Sequence, residues 1–377
     1  MSWYQPENKQ EQFVNSLLRP VSFLYYMGSL SRLTGYRSRV LKQKRLGVPV
    51  ISVGNLTVGG TGKTPITIDL ARSLMRFGLK VGVLSRGYKR QSSQKVLVVS
   101  DGRKVLVDAT QAGDEPYLIA NAVQGAVVVV SADRYEAGLV AINDYGCDVL
   151  ILDDGFQHLK LERNFDVVVY DYNDDPSSLQ LLPAGRLREP FASLSRANCL
   201  VISKIPENPD PQRLREIRNV ANRFKPGIPI LNCRFEADGL RRVYTNQKVT
   251  VTTRSAGTRV FAFCGIARPE GFFKHLEETG CVIVGKETFA DHHWLNAADL
   301  SRLERRFRES EAQLLVTTEK DCVRLPEEFI DQVPLAVLAL ATNWSGNNES
   351  GAVEITDIPE LRNMLKRKRA LVAGAAK

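Results

Sequence analysis

The sequence has few of the residues that build metal clusters and disulfide frameworks. It contains four histidines and six scattered cysteines, with no C-x-x-C pair and no Cys/His cluster at zinc spacing. The cysteines lie inside or beside apolar runs, which is typical of reduced core residues in a reducing compartment. The polar N-terminus also lacks the pattern of a signal peptide. We therefore expect neither a zinc domain nor a secreted, disulfide-rich protein.

Long apolar runs are also absent. Residues 13–33 are rich in aromatic and aliphatic side chains, but only twelve residues separate Arg19 from Arg32, whereas a helix that spans a bilayer needs about 20. Aromatic residues flanked by arginines suit a helix that lies in the membrane interface. An N-terminal helix packed on the core is an equal alternative, and the two are compatible if one face packs and the other contacts lipid.

Acidic residues are missing from positions 12–68, a stretch that contains eight basic residues. Nearly the whole formal net charge of +9 therefore lies in the first sixth of the chain. Such a block favours an anionic partner, namely a membrane surface, a nucleic acid or an acidic substrate, over a merely solvated basic face. Because the bases are mixed with apolar residues and no nucleic-acid-binding module is recognisable, we expect a membrane surface as partner and no nucleic acid.

The strongest positive signal is a glycine-rich turn between a strand and a helix. Residues 50–69 read V-I-S-V-G-N-L-T-V-G-G-T-G-K-T-P-I-T-I-D, which places glycines where backbone N–H groups and a helix N-terminus surround phosphate oxygens. Lys63 would reach the β- and γ-phosphates, and the Thr64 hydroxyl would bind Mg²⁺. The general motif has glycine where this chain has Thr57, so a purely structural turn is the alternative. We expect nucleotide-binding residues at Thr57, Val58, Gly59, Gly60, Thr61, Gly62, Lys63 and Thr64.

Apolar strands alternate with amphipathic helices from the glycine-rich turn to about residue 224. This alternation predicts an α/β fold with a doubly wound, mostly parallel sheet of the P-loop NTPase type. The pattern changes to extended segments near residue 228, and a second α/β unit follows. We predict five regions: an N-terminal membrane-associating helical segment (1–45), a P-loop domain (46–227), a β linker (228–257), a smaller α/β domain (258–345) and a C-terminal tail with a basic helix (346–377).

Two pairs of adjacent acids are candidates for cation or proton chemistry. Asp153 and Asp154 follow the apolar strand at 149–152, which would present carboxylates at the ligand-binding edge of an open α/β sheet and let one of them hold Mg²⁺. An Asp-Gly turn is the alternative. Asp114 and Glu115 follow a glycine and precede a proline, a pattern typical of a simple helix start. For this second pair the residues alone favour helix capping.

A histidine pair and scattered basic residues complete the candidates. His292 and His293 follow Asp291 and could bind phosphate, transfer a proton or ligate a metal, although adjacent side chains on an extended segment point in opposite directions. A surface loop with chance histidines is the alternative. Basic residues near predicted strand ends suit anionic substrate oxygens, although each is weak evidence alone: Arg86, Lys89, Arg90, Arg186, Arg188 and Lys320.

Seven short motifs follow one another along residues 49–325. They are G-N-L-T-V-G-G-T-G-K-T-P (54–65), S-R-G-Y (85–88), G-D-E-P (113–116), L-D-D-G-F-Q-H (152–158), L-P-A-G-R-L-R-E (182–189), F-A-D-H-H (289–293) and T-T-E-K-D (317–321). In identity and order they resemble the motifs of the tetraacyldisaccharide 4'-kinase family of lipid A biosynthesis in Gram-negative bacteria. Each motif is short, but the combination is highly specific, and Thr57 fits this family's version of the loop.

The resemblance implies an ATP-dependent kinase that phosphorylates the 4'-hydroxyl of tetraacyldisaccharide 1-phosphate, an acylated disaccharide lipid, to form lipid IVA. The implied location is the cytoplasmic face of the bacterial inner membrane. The resemblance also implies that Asp114 is the general base, paired with His292 from a second domain that closes over the cleft. It further implies that Thr64 and Glu115 serve the metal, that Asp153, Asp154 and His158 line the site, and that Arg86 and Tyr88 lie near the substrate. Together with the residue patterns, this predicts metal ligands at Thr64, Glu115 and Asp153, and substrate-binding residues at Asn55, Arg86, Tyr88, Asp154, Gln157, His158, Arg186 and Arg188.

A membrane-recruited P-loop ATPase switch is the alternative function. Such ATPases also use the pattern G-G-x-G-K-T, but they carry a lysine just before the paired glycines, where this chain has Val58. The D-H-H sequence at 291–293 also argues against this class. We therefore favour the kinase.

Overall fold

The computed structural model describes residues 9–244, 247–253, 256–291, 293–345 and 354–375. Its helices are α1 (Lys9–Arg37), α2 (Lys63–Arg76), α3 (Ala109–Ala112), α4 (Asp114–Ala122), α5 (Arg134–Asn143), α6 (Pro211–Phe224), α7 (Pro269–Glu278), α8 (Ala297–Glu309), α9 (Glu319–Cys322), α10 (Glu327–Gln332) and α11 (Pro359–Ala375). Its strands are β1 (Val50–Asn55), β2 (Val81–Ser85), β3 (Val96–Asp101), β4 (Val127–Ser131), β5 (Val149–Asp153), β6 (Phe165–Asp171), β7 (Cys199–Ser203), β8 (Ile230–Tyr244), β9 (Gln247–Thr253), β10 (Arg259–Cys264), β11 (Val282–Thr288), β12 (Leu314–Thr318) and β13 (Leu335–Ser345).

Eight neighbouring strands, in the order β3-β4-β2-β5-β1-β6-β7-β8, form the larger part of the described sheet. Adjacent strands are parallel except for β3 with β4. The central strands are apolar along their length because both faces of the sheet are covered. In β1, for example, Ile51 and Val53 share an apolar cluster with side chains of α2, whereas Val50 shares one with side chains of α5. The predicted doubly wound, mostly parallel fold is confirmed.

The same sheet continues into the second half of the chain through β8. From Ile230 to Cys233, β8 pairs in parallel with β7. From Asn232 to Arg242 it pairs antiparallel with β13, and β13, β12, β10 and β11 then follow in parallel. The predicted β linker therefore contains a strand that belongs to both halves of the sheet. The division of the chain into separate domains stays a prediction.

Helix α1 lies against the loops that follow β5 and β6. Three of its side chains donate hydrogen bonds to backbone oxygens of these loops: Ser22 Oγ to Leu181 (3.1 Å), Tyr25 Oη to Arg188 (2.8 Å) and Arg32 Nη2 to Gln157 (3.0 Å). Other large apolar side chains of α1 are exposed, with Leu24 at 69% and Phe23 at 61%. Within the described ranges, no helix has the length and apolar character needed to cross a bilayer. One side of α1 is thus packed on the protein, and contact of the exposed side with lipid stays a prediction.

Candidate active site

The glycine-rich loop between β1 and α2 forms a cradle suited to an anion. Gly59 and Gly62 have φ angles of 106° and 82°, in the left-handed region that favours glycine. A Cβ at Gly62 would lie 2.6 Å from the ring of Phe235, whereas a Cβ at Gly60 would meet no atom within 4 Å. The N-cap of α2 is Gly62, which has no side chain to occupy the first N–H groups of the helix. These N–H groups can therefore bind phosphate oxygens.

Arg186 and Lys204 bind carbonyl groups of this loop. Arg186 donates from Nε and Nη2 to Val58 O at 3.2 and 2.9 Å. Lys204 Nζ donates to Gly60 O and also lies 2.8 Å from Asp171 Oδ2. These bonds restrain the loop, and with its carbonyl groups bound, its N–H groups can converge on an anion.

Two predicted substrate-binding residues act on the loop itself. Asn55 is buried, and its Nδ2 donates to Thr61 Oγ1 at 3.0 Å. Arg186 supports the loop as described above and pairs with the buried Asp174. The structure therefore places both residues where they shape the phosphate cradle, and their contact with substrate stays a prediction.

Lys63, at the start of α2, forms part of an ionic row with Asp154 and Arg188. Lys63 Nζ lies 3.5 Å from Asp154 Oδ1, and Arg188 Nη1 donates to both Asp154 oxygens at 2.8 and 3.0 Å. Burial alone would raise the pKa of Asp154, but the two cations outweigh it and hold that pKa below its ordinary value. The carboxylate therefore stays ionised and fixes the ammonium group of Lys63.

Asp153 ends β5 and is buried in the same region. Thr67 Oγ1 and Ser85 Oγ each donate to its carboxylate at 3.3 Å. Its pKa is raised above the ordinary value by burial and by the negative charges of Glu115 and Asp154. A divalent cation would relieve this repulsion, and carboxylate oxygens are donors that Mg²⁺ prefers. The electrostatics therefore fit the predicted metal site.

Arg134, the first residue of α5, is a buried charge that the sequence analysis missed. It is 3% exposed, its Nη1 donates to Ser131 O at 3.1 Å, and its Nε has no hydrogen-bond partner among the described residues. Burial lowers the pKa of Arg134 to about 10, against the opposing effect of Asp153. The position of Arg134 shortly after β4 could have identified it as a site residue, because the carboxyl ends of parallel strands share one edge of the sheet.

Asp114, the first residue of α4, pairs with an arginine from the far end of the chain. Arg324 donates to Asp114 Oδ2 from Nε at 2.8 Å and from Nη2 at 2.6 Å. The side chain of Asp114 is 12% exposed and that of Arg324 is 2% exposed. Gly113 has φ 90°, and a Cβ there would lie 3.0 Å from Tyr88 O, so the turn that carries Tyr88 packs closely on this helix start. Arg324 was not predicted, because 210 residues separate it from its partner.

His292, the predicted partner of Asp114, lies outside the described residues. Its neighbour His293 contacts two residues of the second half of the chain, Asp299 and Phe289. His293 Nε2 lies 2.8 Å from Asp299 Oδ2, and the imidazole stacks on Phe289 with ring centroids 5.5 Å apart. His293 thus anchors its loop to α8, whose N-terminal capping box includes Asp299.

The remaining predicted substrate-binding residues follow β2 and β5. Gln157 Nε2 donates to Asn55 O at 2.9 Å. Arg86 and Tyr88 are exposed. His158 is half-buried, and its Nε2 has no hydrogen-bond partner in the part of the chain that the structure describes. Burial lowers the pKa of His158 to about 4, so its imidazole is neutral near pH 7.

The neutral state of His158 predicts a pH dependence of stability. Its pKa is about 4 in the folded protein and about 6.5 in an unfolded chain. Between these values the unfolded state binds more protons, so the free energy of unfolding rises with pH across this window. We expect the melting temperature of the wild type to rise more between about pH 4.5 and about pH 7.5 than that of His158→Gln. Thermal melts at both pH values check this, with His275→Gln as control. An equal rise in the wild type and His158→Gln would contradict the assignment.

Known proteins are similar to this chain in sequence and in fold. The family model for tetraacyldisaccharide-1-P 4'-kinase matches residues 14–355. The chain belongs to the tetraacyldisaccharide 4'-kinase family. The tetraacyldisaccharide 4'-kinase of Pelobacter propionicus is 40% identical over 359 residues, 93% of each protein. That of Desulfotalea psychrophila is 37% identical and covers 84% of this chain and 89% of its own length. The crystal structure of LpxK from Aquifex aeolicus in complex with ATP matches with a TM-score of 0.72 and 32% identity, covering 94% of this chain and 99% of that one.

The predicted membership in the tetraacyldisaccharide 4'-kinase family and the predicted fold class are therefore confirmed. The family motifs at 54–65, 85–88 and 152–158 lie at the ends of the neighbouring parallel strands β1, β2 and β5, and the motif at 113–116 lies at the start of α4. The motif at 317–321 is joined to them through Arg324, which bonds both Asp321 and Asp114. The roles of individual residues stay predictions.

Proposed function

We propose that this chain transfers the γ-phosphate of ATP to the 4'-hydroxyl of tetraacyldisaccharide 1-phosphate and so forms lipid IVA. One observation carries the proposal. In a chain of this kinase family, the phosphate cradle and the Lys63–Asp154 pair lie where the neighbouring strands β1 and β5 end, and Glu115, the residue after Asp114, is close enough to Asp153 to raise its pKa. The related structure with ATP and the names of the relatives support the choice of nucleotide and acceptor.

The residues fit ATP with Mg²⁺. Gly60 leaves open space at the cradle, and Lys63 supplies a fixed positive charge. Thr64, Glu115 and Asp153 offer hydroxyl and carboxylate oxygens, the donor set that Mg²⁺ prefers. The described ranges contain no group of three His, Cys, Asp or Glu side chains that could hold a metal ion unaided, and Mg²⁺ usually completes its shell with phosphate oxygens and waters. Bound Mg²⁺ would neutralise charge on the phosphates.

Asp114 is the proposed general base. Its carboxylate would accept the proton of the 4'-hydroxyl as that oxygen attacks the γ-phosphorus. His292 is proposed to share this proton and to orient the carboxylate. Lys63 would bind the phosphate oxygens on which negative charge accumulates, and the backbone N–H groups of the loop would hold the remaining phosphates in line.

A lipid acceptor requires that the enzyme works at a membrane surface. We propose that α1 lies on the cytoplasmic face of the inner membrane, with Phe23 and Leu24 in the lipid. The exposed apolar side chains of α1 and the basic residues around it suit an anionic interface.

Membrane attachment through α1 predicts the effect of two charge substitutions. We expect Phe23→Glu combined with Leu24→Glu to reduce retention on vesicles of anionic phosphatidylglycerol at least about fivefold, because two apolar anchors are replaced by repelled charges. Co-sedimentation at fixed lipid concentration measures this. The control combines Arg103→Glu with Lys104→Glu in the turn after β3, which lowers the net charge further than the test variant does. An equal loss in the control would refute the anchor, as would binding that survives deletion of residues 1–33.

The proposed activity has a direct test. Purified protein, ATP, Mg²⁺ and tetraacyldisaccharide 1-phosphate are incubated together, and the lipid is analysed by mass spectrometry. We expect a product heavier by one phosphoryl group, with ATP consumed only when the lipid is present. ATP turnover without any lipid product would instead favour a P-loop ATPase switch.

A further inference from the structure

A buried row of ionic contacts joins the second half of the sheet to Asp114. Arg324 binds Asp114 through Nε and Nη2, and its Nη1 donates to Asp321 Oδ1 at 3.2 Å. Asp321 Oδ2 accepts from Gly265 N at 2.9 Å and from Thr318 Oγ1 at 2.7 Å. The guanidinium group is therefore fixed on one side by the ends of β10 and β12, and on the other side it holds the start of α4.

We propose that Arg324 is a positioning residue for phosphoryl transfer, which fixes the carboxylate of Asp114 in the orientation that accepts the proton. The inference rests on the proposed function, because Asp114 is the proposed base. Both bonds from Arg324 go to Oδ2, so one carboxylate oxygen is committed to the arginine. Proton transfer is assigned to the other oxygen, Oδ1.

The burial of Arg324 distinguishes this arrangement from a surface ion pair. Its side chain is 2% exposed, so solvent cannot satisfy the guanidinium group and its partners must. Asp321, only three residues away, already supplies one such partner. The ion pair of Arg324 with Asp114 joins segments that lie 210 residues apart in the sequence. A bidentate guanidinium fork fixes direction as well as distance, which a lysine ammonium group does not.

Three variants of the full-length enzyme test the role. Arg324→Lys keeps the positive charge but loses the paired Nε and Nη2 donors, and Arg324→Gln loses both the charge and the donors. Arg306→Lys is the matched control. Arg306 lies on α8 and pairs with Glu287 at 2.7 Å, away from Asp114. We expect kcat to fall about tenfold for Arg324→Lys and about a hundredfold for Arg324→Gln, because small errors in the position of a reacting group cost this much. The KM values for ATP and lipid should stay within about twofold of wild type, since a positioning residue acts through Asp114 and not through binding of either ligand.

A double-mutant cycle separates positioning from a purely structural role. If Arg324 acts through Asp114, adding Arg324→Lys to Asp114→Ala should change the residual rate by less than about twofold. A full additional loss in that background would overturn the inference. An unchanged or increased kcat in Arg324→Lys would also overturn the inference, and an increase would mean that the arginine restrains the base.

The remaining outcomes separate a structural role from a failure of the proposed function. An Arg324→Lys protein that unfolds at the assay temperature, while Arg306→Lys stays folded, would assign a structural role instead. Wild-type enzyme that forms no phosphorylated lipid would refute the proposed function, whereas an active wild type with an indifferent Arg324 would refute only this inference.

Discussion

Asp114→Ala is expected to lower kcat for lipid phosphorylation by at least about a hundredfold, in the upper part of the range for removal of one general base. The attacking hydroxyl would then have to lose its proton to water or to a weaker base. ATP binding should persist, because the phosphate cradle belongs to the β1–α2 loop and not to α4. The measurement is the initial rate of product formation at saturating ATP and lipid, together with a titration of nucleotide binding.

The control for this variant is Asp108→Ala, six residues earlier. Asp108 caps α3 by accepting a hydrogen bond from Gln111 N at 2.9 Å, so its loss affects a nearby helix start but not the proposed base. A melting curve must accompany the rate, because breaking a buried ion pair costs about 3–5 kcal/mol. Arg324 keeps Asp321 as a partner, which limits this cost. Near-normal turnover by folded Asp114→Ala protein would show that another group is the base.

Thr64→Ala is expected to have a comparable effect, a loss of at least about a hundredfold in kcat, or about 2.7 kcal/mol of transition-state stabilisation. The hydroxyl at this position is the proposed link between the start of α2 and Mg²⁺, and alanine cannot replace it. The rate should recover in part as the Mg²⁺ concentration is raised, because the site is weakened and not removed. The measurement is kcat as a function of Mg²⁺ concentration at saturating ATP.

Thr64→Ser is the matched control, since it keeps the hydroxyl and removes one methyl group. Its rate should stay within about threefold of wild type, because the same oxygen is available to the metal. If serine and alanine reduced the rate equally, the methyl group would matter and not the oxygen. If Thr64→Ala retained wild-type activity at low Mg²⁺, the assignment of Thr64 as a metal ligand would be wrong.

The phosphate cradle could be predicted because all its parts are contiguous in sequence. A buried strand, a turn with three glycines and a helix start lie between Val50 and Arg76. The position of Asp153 could also be predicted, because a buried apolar strand that ends in an acid brings the carboxylate to the shared edge of a parallel sheet. In both cases local chemistry and sheet topology determine the position.

The partners of these residues could not be predicted in the same way. Asp114 looked like ordinary helix-start chemistry because its neighbours are a glycine, a glutamate and a proline. Its ion pair with Arg324 depends on how β8 carries the chain into the second half of the sheet. Arg186 was predicted from its position to bind substrate, but its hydrogen bond to Val58 O in the glycine-rich loop could not be predicted. Side chains that converge from distant segments leave no periodic signal in the sequence.

The contacts of α1 bear on how shortened forms of the enzyme should be interpreted. The hydroxyl of Tyr25 binds the backbone of Arg188, whose guanidinium group holds Asp154 beside Lys63. A truncation that removes α1 therefore deletes a contact of the segment that holds the Lys63–Asp154 pair, together with the predicted membrane anchor. Detergent micelles can deliver the lipid in place of a membrane anchor, but they cannot restore the hydrogen bond between Tyr25 and Arg188. Inhibitors selected against a protein without α1 would therefore be selected without this support of the Lys63–Asp154 pair.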